Sequence, residues 1–138
     1  MKKRAIAALV LMGFSLLLLS CATQKFIPKG SKSHGAYFGR FSGKVAYANG
    51  GMRIHFYETP EGEILFRGVA ESEARQGGGQ FFHGTVKDKK TLEGVLDAPA
   101  VGTITGQLSE DRSYASGTFE SDMYNTGTWK VDLKKSDQ

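Results

Sequence analysis

Four times in this chain a glycine is followed by threonine and then by a large apolar residue: Gly84-Thr85-Val86, Gly102-Thr103-Ile104, Gly117-Thr118-Phe119 and Gly127-Thr128-Trp129. Looser Gly-x-apolar steps begin at Gly39, Gly43, Gly94 and Gly106. In an extended strand, side chains two apart share a face. Each glycine therefore lies on the side of the apolar residue two positions on, and the threonine faces the other way. Glycine weakens a strand intrinsically, but it permits sharp coiling and leaves room for a ring from the next strand. A sheet with repeated glycine on its apolar face is strongly curved or closed. The four motifs are separated by 18, 15 and 10 residues, too uneven for a regular solenoid.

The same period of two runs through the chain from residue 36 onward, where no long helical period occurs. Met52, Ile54 and Phe56 alternate with Arg53, His55 and Tyr57. Ile64, Phe66, Gly68 and Ala70 alternate with Leu65, Arg67 and Val69, and Trp129, Val131 and Leu133 with Thr128, Lys130 and Asp132. Further strands are predicted over 37–47, 80–86, 91–96, 101–108 and 114–120, which makes eight. Asn49-Gly50-Gly51 can supply the positive φ angles of a tight hairpin. Thr59-Pro60-Glu61-Gly62 suits a turn with proline at its second position. Lys87-Asp88-Lys89-Lys90 and Ser109-Glu110-Asp111-Arg112 are short polar connections, and Asn125 marks another bend. Connections this short pair consecutive strands antiparallel, because a parallel crossover needs a dozen residues or more. The expected fold is all-β: an antiparallel meander of eight strands, closed as a small up-and-down barrel that removes its own edges. An open coiled sheet or a β-roll is the alternative.

The first 21 residues have a different character. Lys2, Lys3 and Arg4 precede an apolar run from Ala5 to Leu19, interrupted only by Gly13 and Ser15. At about 15 residues the run is short for a membrane span of roughly 20 and suits the apolar region of a secretory signal peptide. Its end, Leu18-Leu19-Ser20-Cys21, resembles the lipobox of bacterial lipoproteins. Leu18 matches the branched apolar residue, Ser20 the small residue and Cys21 the acylated thiol, with Leu19 a less typical occupant between them. The resemblance implies that residues 1–20 are removed as a signal peptide. It also implies that Cys21 carries diacylglycerol and that its new amino terminus is acylated, with palmitate the expected fatty acid. Ala22 rather than aspartate after the cysteine implies the outer membrane of a double-membrane organism, facing the periplasm. On this reading 21–35 is a lipidated, flexible basic tether and 36–138 is the β domain.

Charge follows the same division. Of 18 basic residues, Lys2, Lys3 and Arg4 fall in the leader and Lys25, Lys29 and Lys32 in the tether. Beyond residue 35, 12 basic groups meet all 14 acidic ones, a balance of −2. The basic character of the whole chain thus belongs to leader and tether, which removes the main support for nucleic-acid binding. The tether lysines suit anionic lipid head groups.

Residues able to carry chemistry are sparse. His34 falls in the tether. His55 and His83 lie on the domain with one strand between them, and no acid stands at matching spacing to complete a metal site. Glu71 and Glu73 share one face at a strand end, with Arg75 near enough for an ion pair. Gln76-Gly77-Gly78-Gly79-Gln80 lacks the Gly-Lys-Ser/Thr ending of a phosphate loop and reads as hairpin slack or a lid at a barrel mouth. No Gly-x-Ser-x-Gly elbow occurs, and Cys21 is the only cysteine. No catalytic, cofactor-binding or metal residue is expected. Aromatic residues populate nearly every strand, on both faces at Phe56-Tyr57 and Phe81-Phe82, so a second set is available to a partner.

These readings lead to a non-catalytic envelope lipoprotein that binds or assembles with a neighbouring envelope protein while tethered to a membrane. A carrier of a small apolar ligand inside the barrel is the alternative, and it calls for a hollow interior. An inhibitor of a cell-wall-degrading enzyme is a further alternative.

Overall fold

The computed structural model describes residues 27–74 and 79–134. Within them lie eight strands: β1 Lys32–Gly43, β2 Asn49–Glu58, β3 Ile64–Ser72, β4 Gln80–Lys87, β5 Thr91–Leu96, β6 Gly102–Leu108, β7 Tyr114–Ser121 and β8 Asn125–Leu133. Each pairs antiparallel with the next, and β1 pairs with β8, from Tyr37–Leu133 to Gly43–Gly127. The meander expected from the sequence is present, and it closes into a barrel.

The register sets the width of that barrel. One row of paired residues runs Ile64, Val86, Leu92, Gly106, Gly117, Trp129, Phe41, Gly50 and Ser72. It leaves β3 at Ile64 and rejoins β3 at Ser72, a stagger of about eight residues around eight strands. A barrel of that shear has strands tilted by about 36°, and its interior is just wide enough for side chains to fill.

The inward face is the one that the glycine steps mark out. Phe66, Phe82, Ile54, Leu92, Ile104 and Val131 are the largest side chains fully withdrawn from solvent, each contributing roughly 1.5–3 kcal/mol by burial. Aromatic rings cross the barrel in sequence: Tyr37 meets Phe56 at 4.9 Å, Phe56 meets Phe66 at 6.1 Å and Phe66 meets Phe82 at 6.4 Å. The inward glycines make room for these rings. A Cβ on Gly84 would lie 2.7 Å from Cζ of Phe66, and one on Gly106 would lie 2.4 Å from Cζ2 of Trp129. The Trp129 indole Nε1 donates to the carbonyls of Thr105 and Thr118, each at 3.2 Å, so its one polar atom is satisfied inside the core.

Arg40, Arg53, Arg67, Lys87, Glu93 and Lys130 sit at outward positions and are exposed. Apolar inside and charged outside is the reverse of the pattern of a lipid-facing barrel. Several outward aromatic rings are covered by cations: Lys134 over Phe38 at 5.3 Å, Lys130 over Tyr114 at 5.1 Å and Arg67 over Tyr57 at 5.5 Å.

Two local expectations need correction. β1 begins at Lys32, so residues 32–35 belong to the barrel and not to a tether. Lys32 and Ser33 pair with Glu58 and Tyr57 across a register shift, which gives this segment a place in the sheet. Asn49-Gly50-Gly51 does not make the hairpin turn but opens β2, with Asn49 extended at φ −132°. The connection is a 3₁₀ turn over Ala46–Ala48, and the Asn49 side-chain amide donates to the Val45 carbonyl at 3.1 Å to hold it. Gly50 is needed for close approach, since a Cβ there would lie 1.9 Å from the Glu71 carbonyl oxygen.

The other turns follow their chemistry. Gly62 donates to the Thr59 carbonyl at 2.9 Å and takes φ +86°, closing the Pro60 turn. Asp88 and Lys89 have φ 53° and 57°, with Lys90 donating to Lys87 at 3.0 Å, a two-residue turn whose hand matches the strand twist. Asn125 takes φ 59° at the expected bend.

Candidate functional site

The two ends of the barrel are built from different residues. At the end where β1 begins, the inward positions hold Tyr37, Ile64, Val86, Leu92, Leu108 and Val131, all buried. Their bulk fills the interior. At the opposite end the inward strand termini carry Gly43, Gly50, Ser72, Gln80, Gly102, Ser121 and Gly127. Small residues there leave the core uncovered from above.

The result is a cup of about 460 Å³ opening at that mouth, within the size range of small-molecule sites. Phe41, Met52, Phe82, Ile104 and Phe119 form its floor and walls, with Leu96 and Tyr124 higher up. Phe41 and Phe119 stand edge to face at 6.2 Å across it. Few polar groups line it, and they are committed to the rim. Gln80 Nε2 donates to the carbonyls of Asp97 at 2.7 Å and Phe81 at 2.9 Å, while its Oε1 accepts from the Tyr124 hydroxyl at 3.4 Å. Ser121 Oγ accepts from the amides of Met123 and Tyr124, at 3.0 and 3.2 Å, and so fixes the β7–β8 turn that carries Tyr124. A cup of this kind can hold an apolar group by burial, and among the described residues its lining brings together no acid–base or nucleophilic centre.

The histidines are placed in part as the spacing suggests. His55 on β2 and His83 on β4 flank Arg67 on β3 as its cross-strand partners. Burial, and then the charges of Arg53 and Arg67, push the His55 imidazole below its usual range. The acid that strand spacing does not supply comes from a connection: Asp97, just beyond β5, reaches His83 Nδ1 at 2.6 Å. The Asp97 side chain is 40% exposed, so the pair lies on the outer surface. His34 belongs to β1. Its Nε2 meets Glu58 at 2.8 Å, and its Nδ1 lies 3.3 Å from Arg112 Nη1. The Tyr37 hydroxyl donates to the Arg112 carbonyl, closing the filled end. Burial raises the Tyr37 pKa above its ordinary value, opposed by the Arg112 charge.

Glu73 pairs with Arg40 on the outer wall. Arg75, Gln76, Gly77 and Gly78 lie outside the described residues, while Gly79 and Gln80 line the mouth. Cys21, the residue expected to carry the lipid, also lies outside them, with the rest of residues 1–26. Among the described residues no group of three or more His, Cys, Asp or Glu side chains converges as a metal site. The cup was missed at the sequence level, although its signal is there: the inward residue nearest the mouth is small or polar on several successive strands. No protein-family model matches the chain, and no curated protein matches it.

Proposed function

We propose that this chain is a lipid-anchored binding protein of the cell envelope that seats a small apolar ligand, or an apolar group of a larger one, in the mouth of its barrel. The single observation that carries this reading is the cup of about 460 Å³, apolar in its depth, at the end away from the start of β1. The lipobox-like ending at Cys21 supports the anchor, the outer membrane as its seat and the periplasm as the surroundings of the domain.

Anchor and cup fit one geometry. A chain tethered through Cys21 enters the barrel at its filled end. β1 then runs 12 residues toward the mouth, a rise of roughly 30 Å once tilt is allowed for. The cup therefore opens away from the point of attachment. Confinement by the anchor raises the effective concentration of the domain toward neighbouring envelope components. Recognition proceeds by taking the ligand's own apolar surface out of water against Phe41, Phe82 and Phe119, at roughly 25 cal/mol per Å² removed. The role is one of binding and positioning, without covalent chemistry.

Two measurements test this. Metabolic labelling with palmitate should mark the wild-type chain, and a Cys21→Ser form should lose both label and membrane association. A Cys21→Ser form that keeps either one refutes the anchor. Mass spectrometry of organic extracts of the purified protein, with titration of a fluorescent apolar dye, examines the cup. A co-purified lipid, or saturable dye binding lost on filling the cup, is expected. Dye binding that is absent in wild type, or unchanged when the cup is filled, refutes the ligand reading.

A further inference from the structure

Outside the barrel, the wall formed by β2, β3, β4 and the end of β5 is hollowed into a groove of about 930 Å³. Two cross-strand rows make its floor. One row runs His55, Arg67 and His83, and the other Arg53, Val69 and Phe81. We infer that this groove binds an oxyanion, a phosphate or carboxylate group, held by Arg53 and Arg67 with His55 beside them and bordered by Phe81. The groove lies on the outer wall, with Phe82 and Leu96 lining both it and the cup, and it goes beyond the reading given above.

Charge makes the first argument. Like charges on neighbouring strands repel, and two outward cations elsewhere on this barrel are paired with carboxylates. Arg40 pairs with Glu73 and Lys87 with Glu93. Arg67 lies over the Tyr57 ring, but among the described residues no carboxylate forms an ion pair with Arg53 or Arg67. The one carboxylate lining the groove, Asp97, is taken by His83. Arg53 and Arg67, both exposed, therefore line one concavity, and guanidinium groups are suited to bidentate contact with an oxyanion.

Exposure makes the second. Phe81 is 58% exposed and, among the described residues, has no cation over its ring, unlike Phe38, Tyr57 and Tyr114. With Val69 it gives the groove an apolar border, so the ligand that fits best carries its anionic group beside an apolar portion.

The groups facing His55 settle the direction of pH dependence. They are Arg53 and Tyr57 on its own strand and Arg67 on β3. Farther along the row come His83 on β4 and Asp97 beyond β5, and His34 and Glu58 lie toward the filled end. The Tyr57 hydroxyl lies 3.4 Å from His55 Nδ1. Burial and the two arginines lower the His55 pKa. A bound anion offsets the arginine charges and favours the imidazolium, so binding strengthens as pH falls through the His55 pKa.

The test follows the three histidine ring signals of the full-length protein in neutral detergent by NMR, across pH. Inorganic phosphate is titrated against chloride at equal ionic strength. Phosphatidylcholine vesicles with and without phosphatidylglycerol form the second arm. Phosphate is expected to raise the His55 pKa and shift Phe81, with little movement at His34. Response to phosphate identifies a free anion as a sufficient ligand, and response only to phosphatidylglycerol vesicles identifies a lipid head group; either supports the site. An Arg53→Gln/Arg67→Gln double variant, whose exposed substitutions leave the core untouched, should raise the His55 pKa without ligand. It should also weaken binding by about tenfold or more, as expected for lost charge-assisted hydrogen bonds. A His55 pKa that ignores phosphate and both vesicle types overturns the proposal. So does an unchanged response in a double variant whose amide spectrum shows the barrel intact.

Discussion

The two ends of this barrel share eight strands, one register and one glycine-marked inner face, yet one end is full and the other holds a cup. At the filled end the last inward residue of a strand is Ile64, Val86, Leu92 or Leu108, and the connections are short turns. At the mouth the corresponding residues are Gly50, Ser72, Gln80, Gly102 and Gly127. A barrel of fixed width has a fixed volume to fill per layer, so bulky side chains produce core and small ones leave a hollow. Closure and ligand space are thus separable along a single axis, and each is decided by side-chain size at positions two apart.

Substitutions at each end can break or sharpen this contrast. Leu92 is fully buried at the filled end, so Leu92→Ala should cost about 3 kcal/mol by transfer and cavity terms. Chemical denaturation would show this as a lower midpoint, and a loss below about 1 kcal/mol would mean that the end is not tightly packed. At the mouth the same logic inverts. Ala70 lines the cup, so Ala70→Leu adds bulk where space exists. It should weaken apolar dye binding by about tenfold, near 1.4 kcal/mol, with the unfolding midpoint almost unmoved. A large destabilisation there would show that the mouth is as crowded as the base.

A smaller gain is expected in the β4–β5 turn. Lys89 holds a left-handed conformation that costs an ordinary side chain roughly 1 kcal/mol. Lys89→Gly should recover most of this, partly offset by greater freedom in the unfolded chain, and thermal unfolding would register the rise. The smallest effect belongs to the outer wall. The folded state holds His55 below its ordinary pKa, so below about pH 6.5 the unfolded chain binds a proton that the folded chain resists. Stability from this residue is therefore complete above that pH and falls as pH drops. His55→Gln should flatten the slope between about pH 7 and pH 5 in urea titrations, and an unaltered slope would remove His55 as its source.

Much of this architecture was legible in the residues. Alternation at Met52–Phe56 and Trp129–Val131 assigned inner and outer faces, because a period of two has only two sides to choose from. Pro60-Glu61-Gly62 and Asp88-Lys89 marked turns through local backbone chemistry. Asn49-Gly50-Gly51 misled for an instructive reason: the glycine that looked like a turn former is required by close approach to Glu71 on another strand, and no local rule carries that information. Likewise, the start of β1 at Lys32 depends on pairing with Glu58, and the Asp97–His83 contact depends on the path of a connection after its strand has ended.

Local pattern alone therefore determined the strand count, the antiparallel order, the inward set of aromatics and glycines, and the lipobox-like leader that sets the expectation of an anchor. Each of these depends on residues within a few positions of one another. Only the tertiary structure decided that β1 closes on β8, that the register yields a narrow filled barrel, and that small residues from several strands meet around one mouth. It also brought Arg53, Arg67 and His55 into a single groove. These outcomes depend on stagger summed over eight pairings, a quantity that no short window of sequence contains.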